Sequence, residues 1–137
     1  MKISFLFLIV FLLSACLNWA DDLFDKDYYE KTTKINFPDN YTTLATVDNG
    51  EFLTLTILKL SKSDCISFIN KHNFSPVRTH KLELIGLNWL DKKYQNLPGK
   101  NMLVKEKWFD NGTGWIYLMD TSSFKLYCQI NYPDKEE

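Results

Sequence analysis

Arginine is almost absent from this chain: Arg78 is the only one among sixteen basic residues. Seventeen acidic residues balance them to a formal net charge of −1. Without a basic excess, phosphate neutralisation has nothing to drive generic nucleic-acid binding. Imidazole is as scarce. His72 suits the carbonyl end of a helix and His80 an exposed loop or strand, so a shared metal site is not expected. Five glycines and four prolines leave no room for a flexible Gly/Ser linker, and no Gly-rich phosphate loop or dinucleotide fingerprint is found. GxSxG and HExxH patterns are missing too. The reading is therefore a non-enzyme without cofactor or metal. The longest apolar run, residues 3–13 broken only by Ser4, is far short of the roughly 20 residues a membrane-spanning helix needs.

That run is instead the size of a signal-peptide core, with Lys2 ahead of it and the small residues Ser14 and Ala15 behind. Leu13-Ser14-Ala15-Cys16 resembles the lipobox of bacterial lipoprotein precursors. The resemblance covers only these first 16 residues. It implies cleavage between Ala15 and Cys16, a diacylglyceryl group on the Cys16 thiol and, in many bacteria, a further acyl chain (commonly palmitate) on the new amine. Two or three acyl chains hold a protein stably at a bilayer, because each buried CH₂ contributes about 0.8 kcal/mol. Leu17 stands where an Asp would resemble an inner-membrane retention signal. The expected location is the cell envelope, on the outer membrane facing the periplasm if the organism is Gram-negative.

The chain then divides into residues 1–15 as signal, 16–33 as lipidated N-terminus and tether or short helix, 34–132 as one domain and 133–137 as a solvated tail. In the second segment Trp19, Leu23, Phe24 and Tyr28 recur at near-helical spacing. The acids Asp21, Asp22, Asp25, Asp27 and Glu30 lack the spacing of a calcium loop and read as a solvated face. Residues 41–47 and 51–60 predict a β-hairpin turning on Asn49-Gly50. Both faces of the second strand are apolar, which places it centrally. Ser61 with Asp64 has the form of a capping box, and Cys65, Ile66, Phe68 and Ile69 make an apolar stripe. Asn73 and Phe74 complete a C-cap, so the spacing predicts a helix over 62–72. Residues 81–87 suit a strand and 88–94 a short helix. Residues 101–109, 115–120 and 124–132 form a three-strand meander. The expected fold is α+β: a mainly antiparallel sheet of about five strands, with one main helix on one face.

Two cysteines remain after lipidation. Cys65 lies on the helix stripe, and Cys128 alternates with Leu126 and Ile130, so both point into the layer between helix and sheet. An exported chain with an even remainder favours a Cys65–Cys128 disulfide, contributing about 4 kcal/mol in the chain-entropy model. The aromatic residues Trp89, Trp108, Trp115, Tyr117 and Tyr127 concentrate in the second half. Most should fill the core, with Trp108 and Trp115 pairing across a turn. Trp89, in a polar stretch with Lys92, Lys93 and Tyr94, is the candidate contact surface. The sequons at Asn40 and Asn111 read as chance. Small size, anchor and missing catalytic signature suggest a protein-binding module, immunity- or inhibitor-like, occupying an extracytoplasmic protein. A structural or assembly lipoprotein of an envelope complex is the alternative.

Overall fold

A computed structural model describes residues 24–77 and 84–132. The signal, the cleavage site at Ala15 and Cys16, Trp19, His80 and the tail lie outside the described residues. Among the described residues, two helices and one six-stranded sheet make up the fold. Helix α1 is Lys26–Thr33 and α2 is Lys62–His72. The strands are β1 Thr42–Asp48, β2 Leu53–Lys59, β3 Ser75–Pro76, β4 Met102–Trp108, β5 Gly114–Asp120 and β6 Lys125–Asn131. All pairings are antiparallel, in the order β1-β2-β6-β5-β4-β3.

The hairpin, α2 and the meander therefore stand where their patterns predict them. The sixth strand is β3, a two-residue pairing of Ser75 and Pro76 with Val104 and Leu103, too short to leave a periodic signal. Strand β2 is central, between β1 and β6. Leu53, Leu55 and Ile57 project to one side and Leu58 to the other, all fully buried. The β1–β2 turn is longer than two residues. Asn49 Oδ1 accepts from the amides of Glu51, Phe52 and Leu53, with Gly50 at φ +72°. One side chain thus satisfies three backbone donors, which widens the loop.

Helix α2 is capped at both ends. Ser61 Oγ accepts from the Asp64 amide at 3.0 Å and donates to Asp64 Oδ2 at 2.7 Å. The short Asp side chain meets the hydroxyl, where a longer Glu would reach the cap amide. Asn73 closes the helix in the left-handed region at φ 54°, its amide bonding the Ile69 carbonyl. Helix α1 begins on Asp25, whose carboxylate accepts from the Tyr28 amide at 2.9 Å.

Both helices pack on one face of the sheet. Phe24, Tyr29, Phe37, Cys65 and Phe68 meet Leu58, Trp115, Tyr117, Met119, Leu126 and Cys128 there. The polar atoms in this layer are partnered. The Tyr29 hydroxyl lies 3.2 Å from Thr54 Oγ1 and 3.3 Å from Thr56 Oγ1, and the Thr33 and Tyr117 hydroxyls are 3.0 Å apart. Such satisfaction is what a buried hydroxyl requires.

The opposite face is covered as well, by a layer without regular helix. The segment read as the end of a strand and a short helix forms two 3-10 turns, Ile85–Trp89 and Lys92–Tyr94. Leu84 and Leu87 pack on Leu53, Leu55, Ile57, Ile116 and Leu118. A Cβ at Gly86 would sit 2.8 Å from Leu55 Cβ, so only glycine lets this backbone lie so low on the sheet. The Gly86 amide donates to buried Gln129 Oε1 at 3.1 Å. Contact with an apolar sheet face, not local periodicity, sets this segment's shape.

Candidate interaction surfaces

The described residues expose five large apolar side chains: Ile66, Ile85, Trp89, Trp108 and Phe109. Four of them belong to two places, and those places are the candidate sites.

The first is the 3-10 layer. Ile85 and Trp89, at the two ends of one turn, are 46% and 44% exposed. Trp89 is held by an edge contact with Phe52, ring centroids 5.9 Å apart. Lys92 and Lys93 beside it are exposed. Tyr94 is half-buried and has a structural task. Its hydroxyl donates at 3.1 Å to the carbonyl of Leu44, where the β1–β2 register shifts, and the Lys93 ammonium lies 4.8 Å from its ring centroid. A cleft of about 430 Å³ adjoins the turn, with Asn88, Gln95 and Asn96 above Leu84, Leu87 and Leu97. Of the candidate contact residues, the structure thus presents Trp89, Lys92 and Lys93 to solvent and uses Tyr94 as a brace.

The second place, the tip of the β4–β5 hairpin, was read as structural. Trp108 pairs across the strands with Gly114, and Trp115 pairs with Lys107. The two tryptophans are therefore not partners, because a one-residue offset sends their side chains to opposite faces. Trp115 is buried under the helices, whereas Trp108 and Phe109 are 46% and 52% exposed. The Trp108 indole N–H donates to Glu106 Oε2 at 2.8 Å, and the Lys107 ammonium stands 5.0 Å from the Phe109 centroid. Gly114 makes room for the indole ring. Glycine opposite an aromatic at a hairpin end was the available signal for this site.

Strand β4 also leaves part of its edge uncovered, since β3 reaches only Leu103 and Val104. The Met102 carbonyl bonds the Val77 amide on that side, so by alternation Glu106 and Trp108 turn their backbone groups outward. A second copy pairing antiparallel there with Glu106 or Lys107 at the centre would set like charges opposite each other. Like charges disfavour self-association in those registers.

A third feature is a cleft of about 220 Å³ beside α1, lined by Asp25, Tyr28, Tyr29, Thr46, Asp48, Thr54 and Tyr132. Burial pushes the Tyr29 and Tyr132 hydroxyls up well beyond the ordinary phenol range. They are therefore neutral hydrogen-bonding groups at any physiological pH. Asp25 and Asp48 are occupied with the Tyr28 and Gly50 amides.

The expected disulfide is not formed. Cys65 and Cys128 are both free, at 1% and 0% exposure, in the same core cluster. The shared layer holds, but the rows differ. The charged neighbours of Cys65 are Asp120 and Lys59, at the sheet end where both pair with Lys125. Cys128 pairs with Thr56 and Tyr117, three residues further along the strand. Burial raises both thiol pKa values, that of Cys128 most strongly, so neither is a ready nucleophile.

Among the described residues no three His, Cys, Asp or Glu side chains gather as a metal-binding group, and no helix there is long and apolar enough to cross a membrane. Comparison of the chain with protein-family models, with curated proteins and with solved structures finds no match.

Proposed function

We propose that this protein is a lipid-anchored envelope protein that binds an extracytoplasmic protein without catalysis, as immunity and inhibitor proteins do. The observation that carries the reading is the pairing of Ile85 and Trp89, two large apolar side chains nearly half exposed on a turn that glycine and Gln129 pin to the sheet. A core does not need them there. Rigid aromatic anchors with cations at the rim are what a protein contact uses, and Lys92 and Lys93 supply the rim. Burial keeps the thiols of Cys65 and Cys128 off the surface. Attachment rests on the Leu13-Ser14-Ala15-Cys16 motif, which puts the domain within reach of other envelope proteins.

The test is co-purification from detergent-solubilised envelopes with the full chain as bait, quantified against Trp89→Ala. A specific protein should be retained by the wild type and reduced at least tenfold by the substitution, since a central aromatic anchor is worth about 2 kcal/mol or more. Equal recovery with both baits would remove this surface from the contact.

A further inference from the structure

The register of the sheet relates the point where the chain enters the domain to the hairpin tip. Asp48 pairs with Thr54, Thr54 with Ile130, Ile130 with Trp115 and Trp115 with Lys107. Asp48 and Lys107 therefore lie in one row at one end of the sheet, on strands β1 and β4. Four inter-strand spacings separate them, about 19 Å. At the β1 corner, Asp25 and Tyr28 line a cleft with Asp48 and Tyr132, and the Tyr28 and Tyr132 rings are 5.9 Å apart. The chain thus enters the domain alongside β1: Asp25 lines this cleft, while Phe24 packs on Phe37 and on Tyr41 at the other end of the strand. At the β4 corner stand Trp108, Phe109 and Lys107, followed by the polar turn Asp110-Asn111-Gly112-Thr113.

Seven residues separate Cys16 from Phe24, so a fully extended connection reaches at most about 28 Å. A domain of this length has a radius of gyration of about 13 Å. Acyl chains on Cys16 would therefore hold it within about its own diameter of the bilayer, by the β1 side of the sheet. From these observations we infer that the β4–β5 tip is a second membrane contact: Trp108 and Phe109 enter the lipid interface and Lys107 meets lipid phosphates, which fixes the domain's orientation. The inference rests on the anchoring part of the proposed function.

The chemistry favours a bilayer as the occupant. Trp108 and Phe109 splay to opposite sides of a protruding turn, as alternation from buried Trp115 and exposed Lys107 requires. They offer a wedge rather than a flat patch. Tryptophan and lysine are the residues that settle at the membrane–water interface, the ring at headgroup depth and the ammonium outward. The Trp108 N–H is already bonded to Glu106, so the indole carries no unpaired donor into the interface.

The experiment uses the full chain, purified lipidated and placed in phosphatidylethanolamine–phosphatidylglycerol vesicles with brominated acyl chains. Trp19→Phe and Trp89→Phe leave Trp108 and buried Trp115 as emitters. Mass spectrometry of the N-terminal peptide first reports acylation of Cys16 by itself. Quenching should be at least twofold greater than in the same chain carrying Trp108→Phe, and Lys107→Glu should lower it while circular dichroism stays unchanged. Equal quenching with and without Trp108 overturns the inference, as does a Trp108 shielded from aqueous acrylamide but untouched by bromine, which means burial against the domain itself or a second copy. If Cys16 bears no acyl mass, the anchoring reading fails separately. The unacylated chain is then mixed with the same vesicles: quenching of Trp108 keeps the inference, and its absence overturns it.

Discussion

At Gly114 an added Cβ would lie 2.5 Å from the Lys107 carbonyl oxygen and 2.6 Å from Trp108 Cε3. The exposed ring can swing aside, but the carbonyl belongs to the β4–β5 ladder and cannot. Gly114→Ala should therefore destabilise the domain by about 1–3 kcal/mol, the usual cost of overpacking, and move Trp108 off its bond to Glu106. Urea unfolding checks the first effect and the Trp108 emission maximum the second. A stability unchanged within error would mean that the strand end yields. The same residue shows how far single positions can be read from sequence. Gly114 and Trp108 are visible there, but which residue faces which depends on a register that only pairing reveals. Trp89 could be picked out beforehand because its neighbours are polar. Tyr94 could not be separated from it, since its acceptor is the Leu44 carbonyl fifty residues away.

Helix α2 was the most legible element, because its caps and stripe are local. The tertiary fold changes the role of His72 at its end. The sequence suggested an imidazolium favoured by the helix carbonyls. Instead burial lowers the His72 pKa from 6.5; the hydrogen bond that Nε2 donates to the Asn36 carbonyl opposes this in smaller measure, and Lys71 and Lys105 add to it. A base with a lowered folded pKa binds fewer protons folded than unfolded. Its contribution to stability is thus complete above about pH 6.5 and declines as pH falls through the folded value. Denaturant titrations across that window should show a loss for the wild type that is smaller in His72→Asn. A loss of the same size in both would assign the effect to other groups. The 84–94 segment is the opposite case. Its apolar residues fit neither the helical nor the strand period, because Leu84, Leu87 and Gly86 answer to a sheet face already built from β2, β5 and β6.

For the molecule as a whole, the central strands β2, β5 and β6 are buried on both faces, by two helices on one side and the 3-10 layer on the other. No covalent bridge is needed to close it. A reducing agent should leave the thermal midpoint of the domain unchanged. A Cys65–Cys128 bridge worth about 4 kcal/mol would instead lower the midpoint on reduction by on the order of 20 °C. A shift of that size in a calorimetric scan would contradict the free thiols. By itself the sequence determined the β1–β2 hairpin, α2 with its caps, the C-terminal meander, the central position of β2 and the two-sided alternation that puts Cys65 and Cys128 in one layer. These follow from periodicity and turn chemistry, which act within about ten residues. Tertiary structure decided the rest: the second covering layer, the separation of the two thiols along the strands, and the exposure of Trp108 and Phe109. Each of these depends on which distant segments meet and in what register, and no local pattern carries that information.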